Sequence, residues 1–129
     1  MANRRKIKGR MDSGSFLSIP HQVLRSEMFR SLSANAVKLL IDLSADYNGR
    51  NNGDLCCSWK VMQPKGWRSR DTLIKAQRNL EESGFILRTR QGGRNSANLF
   101  AITWRGIDEC KGKLDIHPNP VPLNLWKKA

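Results

Sequence analysis

Acidic residues are scarce in this chain. Asp and Glu number 11 against 23 Lys and Arg, which leaves a formal net charge of +12. The isoelectric point is near 10.4, and charge of this size attracts polyanions whatever the fold. Long apolar runs are missing too. Nothing approaches the roughly 20 apolar residues of a membrane span, and the N-terminus "MANRRKIKGRMDSGS" has no apolar signal core. A cytoplasmic location without a membrane partner is therefore expected. Cysteine is sparse: Cys56, Cys57 and Cys110 are odd in number and two are adjacent, so reduced thiols are expected in place of a disulfide framework.

Recognisable reaction chemistry is also lacking. Cys56, Cys57, Cys110, His21 and His117 are metal-ligand types, but they form no C-x2-C or H-x3-H pair, so packed thiols are expected and no metal. There is no Gly-rich phosphate loop. The acids are scattered over helix surfaces and the histidines fall in loops. Tyr47, the one tyrosine, suits the end of a core helix better than a nucleophile's role. We expect a non-enzyme with no cofactor.

What is present describes a folded chain, 39% hydrophobic and 26% charged over 129 residues, enough for one domain with a core. Residues 1–15 carry Arg4, Arg5, Lys6, Lys8 and Arg10 with almost no apolar content, which reads as a flexible basic arm. It suits phosphate tracking or minor-groove entry, or is simply a solvated terminus. Order is expected from "FLSIPHQVL", with Pro20 at the first helical position and one short helix ending near Arg30. Ser33 is a natural N-cap for a core helix carrying Ala36, Val37, Leu40, Leu43 and Tyr47, widened by Leu39 and Ile41. That helix must stop at "YNGRNNG". A brief extended piece at "DLCC" and a short helix capped by the Ser58 hydroxyl come next. Pro64 is expected to close that helix and to bias Gln63 away from helical angles.

The helix over 69–83 is predicted from Ser69 as N-cap, Asp71 in the first turn and Gly84 as terminator. At 100° per residue, Leu73, Ala76, Gln77 and Leu80 share one arc, and Asp71, Lys75, Arg78 and Glu82 the opposite one. Ile74, at the margin, suits either the core or a thymine methyl. Glu81 and Glu82 suit a surface turned away from phosphates. "FILRTR" and "NLFAITW" then read as strands joined by "QGGRNSA", with Phe85, Leu87 and Thr89 on one face and Ile86, Arg88 and Arg90 on the other. The last residues, 111–129, have alternate prolines in "HPNPVPLNLW" and read as an extended tail, anchored if at all by Leu125 and Trp126.

This order predicts an α+β fold, mainly α: a winged helix-turn-helix over residues 16–110, with a basic arm and a Pro-rich tail. The candidate reading helix offers Arg68, Ser69, Arg70, Lys75, Arg78 and Asn79. Arginine or lysine suits guanine acceptors and asparagine suits adenine. The candidate wing, 88–98, offers Arg88, Arg90, Gly92, Gly93 and Arg94: glycines for close backbone approach and Arg94 for a minor groove. A solvated basic face and a plain hairpin turn are the bland alternatives.

The motifs "LSANAVKLL", "YNGRNNGDL" and "SRDTLIKAQRNLEESGFI" running into "TRQGG" carry a resemblance. Over roughly Phe16 to Trp104 the chain resembles winged helix-turn-helix proteins of bacterial prophages and plasmids, including N-terminal domains of replication initiators. Pro64 departs from the usual supporting helix. The resemblance implies a sequence-selective double-stranded DNA binder, expected to be a transcriptional regulator of a mobile element. An inhibitor docking on a host protein or nucleoprotein complex is the main rival, and an accessory replication protein the second. With no ATPase or primase domain after the wing, a full initiator is not expected. A homodimer stays open, although no heptad pattern supplies an interface.

Overall fold

The computed structural model describes residues 14–127. The arm residues Arg4, Arg5, Lys6, Lys8 and Arg10 lie outside them. Among the described residues there are five α-helices and a two-stranded antiparallel sheet, a small α+β arrangement compatible with a winged-helix-like fold.

The first helical region is split into α1 (His21–Leu24) and α2 (Glu27–Arg30). Ser26 divides them: its hydroxyl donates to the Val23 carbonyl at 2.7 Å and accepts the Phe29 N–H at 3.1 Å, closing one helix and opening the next. Pro20 stands at the extended N-cap, φ −60° and ψ 141°, one place before the expected position. Helix α3 (Ala34–Ser44) begins at Ser33 as expected, with Ser33 Oγ accepting the Ala36 N–H at 3.1 Å. It buries Ala36, Leu39, Leu40 and Leu43. Ile41 points outward at 41% exposure, outside the apolar stripe.

Leu55 forms a single antiparallel bridge with Phe100. Helix α4 (Trp59–Met62) follows Ser58, whose hydroxyl makes no capping hydrogen bond. The α-helix closes at Met62, ahead of Pro64 as expected, but Gln63 is not turned away from helical angles. Gln63 keeps helical angles of φ −54° and ψ −44°, and Gln63–Lys65 form a 3-10 turn with Pro64 near its start, where proline's missing N–H leaves no bond broken. Gly66, at φ 102°, ends the turn in a conformation glycine adopts freely. It delivers the chain to α5 (Arg70–Glu82), which packs against α3.

Strands β1 (Ile86–Arg90) and β2 (Leu99–Ile102) pair Arg88 with Phe100 and Arg90 with Leu99, leaving Thr89 as a bulge. The strict two-face alternation expected for β1 is thereby broken: Ile86 and Thr89 are its buried residues. All four β2 residues are buried, so the hairpin is covered on both sides. One cover is the helical core, which includes Phe100, Ile102 and Trp104. The segment from 105 to 127, its residues from 111 on expected as an extended surface tail, forms a strap over the sheet. Ile107 bridges Asn119, the Asp115 N–H donates to the Thr89 carbonyl at 2.8 Å, and the Asn124 N–H donates to the Thr103 carbonyl at 2.8 Å. Trp126 ends the strap at 5% exposure, stacked on Phe85 with ring centroids 6.2 Å apart. It belongs to the core and anchors the tail. A Cβ on Gly84 would lie 2.5 Å from the Leu125 carbonyl, so this helix-terminating glycine also makes room for the strap.

Candidate nucleic-acid interface

Helix α5 sets the geometry. Ser69 Oγ accepts the Thr72 N–H at 3.3 Å, and Leu73, Ala76 and Leu80 are buried. The opposite face carries Arg68, Ser69, Arg70, Asp71, Ile74, Lys75, Arg78 and Glu82, all exposed. Ile74, half exposed at 49%, thus belongs to the basic face and not to the core.

The basic groups on this face are not equivalent. The Arg70 guanidinium lies over the Trp59 ring at 5.5 Å, so α4 supplies a platform for it. Lys75 meets Asp71 at 3.1 Å, but their side chains are 71% and 75% exposed, and a solvated pair of this kind is weak and easily exchanged. Arg68, Arg78 and Arg94 carry no ion pair among the described residues. Lys38 and Lys65, by contrast, are tied down by Asp42 at 2.6 Å and Asp46 at 2.7 Å.

Asn79 does not join this face. Its Oδ1 accepts the Ser33 N–H at 3.1 Å and its Nδ2 reaches Ser83 Oγ at 3.4 Å, so the amide joins α5 to the start of α3. Gln77 is similarly engaged, accepting from the Cys57 thiol at 3.4 Å and donating to Glu81 at 3.3 Å.

Arg88 and Arg90 are braces inside the hairpin. Arg88 donates to Glu81 and to Gln91, each at 3.1 Å, and lies 5.5 Å over the Phe100 ring. Arg90 donates to the Ala97 carbonyl at 2.9 Å across the loop. Gly92 has an internal reason to be glycine: its N–H donates to Asn98 Oδ1 at 2.6 Å, and a Cβ there would sit 2.5 Å from the Ser96 carbonyl oxygen. Gly93 faces open space, and its N–H donates to the Ser96 carbonyl at 3.0 Å, closing a turn with Arg94 at the exposed tip. Between α5 and this loop lies an open cleft of about 310 Å³, lined among others by Cys57, Ser58, Gln77, Gly92 and Ala97.

Burial pushes the Cys57 thiol up from 9.0 to about 12, assisted by the neighbouring Cys56 and Glu81 and opposed by Arg88. The Cys110 thiol is also raised, by burial first and then by Asp54 and Asp108. Neither environment makes a thiolate nucleophile near neutrality. Among the described residues no three His, Cys, Asp or Glu side chains gather as a metal cluster, and no helix is long and apolar enough to cross a membrane.

Trp59 is a member of the candidate face that sequence reading missed. It stands eleven positions before Arg70, and only the turn at Gly66 brings the two together. No family model, no curated protein and no solved structure matches this chain.

Proposed function

We propose that the chain is a non-enzymatic double-stranded DNA-binding protein of winged helix-turn-helix type, a cytoplasmic transcriptional regulator of a prophage or similar mobile element. The observation that carries this reading is the face of α5 that holds Arg68, Arg70, Lys75 and Arg78 opposite the buried Leu73, Ala76 and Leu80. Its front half lies in the major groove. Arg70, held over Trp59, and Lys75 and Arg78 read base edges, while Arg68 and the tip residue Arg94 meet phosphates. Arg88, Arg90 and Gly92 serve the same end indirectly, by holding the loop in shape. The reading helix loses Asn79, whose amide is committed within the protein.

Selection from a random duplex library, followed by mobility-shift titration, tests the proposal. An enriched motif spanning a few major-groove base pairs is the expected result. No enrichment, together with no retention of random duplex at low salt, would overturn it. Ile74 favours a second reading, docking on a host nucleoprotein, because a half-exposed isoleucine in the middle of a basic face also suits a protein contact. In that case a pull-down from host lysate returns a partner whose capture Ile74→Asp abolishes, while free duplex is ignored.

A further inference from the structure

Asparagine followed by glycine occurs twice within six residues, at Asn48–Gly49 and Asn52–Gly53. In such a pair the glycine backbone nitrogen can attack the asparagine side-chain Cγ. The new N–C bond closes a five-membered succinimide as the C–N bond to the amide nitrogen breaks and ammonia leaves. Water then opens the ring at either carbonyl, giving aspartate or isoaspartate, and no reagent beyond water is consumed. Glycine favours the attack because it has no Cβ in the way. The step requires a carboxamide free to turn and a backbone free to follow it.

The two sites differ in both respects. Asn52 is 0% exposed. Its Nδ2 donates to the carbonyls of Ile102 and Gly106 at 2.9 and 2.8 Å, and its Oδ1 accepts the Ile102 N–H at 2.8 Å. Gly53 after it is wedged, its Cβ position 2.7 Å from Leu114, and its carbonyl accepts from Thr89 Oγ1 at 2.6 Å. Turning this carboxamide requires opening the joint between loop, sheet and strap. Asn48 and Gly49 are exposed, with nothing within 4 Å of the Gly49 Cβ position. The Asn48 side-chain nitrogen and the Gly49 N–H donate to no described residue, and the Asn48 backbone is held only by its own N–H, which donates to Asn51 Oδ1 at 2.8 Å within the same loop. The only hold on the carboxamide is the Arg50 N–H, which donates to Asn48 Oδ1 at 2.8 Å. That exposed bond is the one hydrogen bond that must open for the carboxamide to turn, against at least three at Asn52.

We propose that Asn48 is a spontaneous deamidation site that the fold leaves open, while the identical dipeptide at Asn52 is closed by it. The product places a carboxylate beside Arg50 and lowers the net charge by one.

Trypsin separates the two sites by cutting after Arg50, into Leu39–Arg50 and Asn51–Lys60. The full chain is aged in mildly alkaline buffer, folded and in guanidinium, and both peptides are followed by mass spectrometry and by enzymatic methylation of isoaspartate. In the folded chain the Asn48 peptide should gain one mass unit and the isoaspartate label at least about tenfold faster than the Asn52 peptide, the suppression reflecting the free energy of local opening. In guanidinium the two rates should converge, and Asn48→Gln should remove the fast signal alone. Equal conversion in the folded chain, or conversion of Asn48 only after denaturation, would overturn the proposal.

Discussion

Arg70 and Arg94 are both exposed arginines on the proposed interface, yet their surroundings differ, and on the proposed reading so would their tasks. Arg70 is stacked against Trp59, so its guanidinium is preorganised for a planar acceptor pair. Arg94 stands free at a turn tip. Arg70→Ala should relax preference at one base pair by about 1–3 kcal/mol, whereas Arg94→Ala should weaken all sequences alike, as read by binding titrations against single-substitution duplexes. Cys57 permits a different residue-scale check. Its folded pKa lies above its ordinary value, so its contribution to stability is complete below pH 9 and is lost as pH rises toward 12. The urea midpoint should therefore fall more steeply through this window for the native chain than for Cys57→Ala. In the folded chain, half-buried Cys56 should be alkylated well before Cys57. Residue type alone reads Asn79 correctly as a hydrogen-bonding group. It cannot reveal that its partner is the Ser33 N–H, 46 positions away.

Helix α5 was legible as an element because Ser69, the Leu73–Ala76–Leu80 spacing and Gly84 all act within the helix itself. The β1–β2 hairpin was legible in outline only. Its bulge at Thr89 depends on partners outside the strand: Gly53 receives the Thr89 hydroxyl, and Asp115 donates to the Thr89 carbonyl. The loop glycines show the same limit. Gly92 and Gly93 are indistinguishable in sequence, but only Gly92 is pressed against the returning chain. Gly92→Ala should open the wing, seen as faster amide exchange over 91–98 and weaker DNA binding. Gly93→Ala should leave exchange and binding close to the parent's.

At the level of the whole molecule, the strap makes hairpin and helical core one unit. Trp126 stacks on Phe85, which meets Phe29 edge-on with centroids 6.0 Å apart. The last turn of the strap is therefore tied through β1's approach to α2. Trp126→Ala should cost about 3–5 kcal/mol, the usual range for a buried aromatic, measured as a lower urea midpoint, and the loss should reach the wing as well as the core. Charge acts at this scale too. With a net charge of +12, DNA affinity should fall with salt by nearly 0.9 in log K per log unit of salt for each phosphate contacted. A slope near zero in a salt titration would count against phosphate contacts altogether. The sequence by itself determined the charge, the helix starts at Ser33 and Ser69, and the buried edge of α5, because each depends on composition or on neighbours within a few residues. Only the tertiary structure decided which polar groups face outward. Asn79, Arg88, Arg90 and Trp126 find partners through contacts that local periodicity does not carry, and burying a polar group or an indole is favourable only where the folded chain supplies that partner.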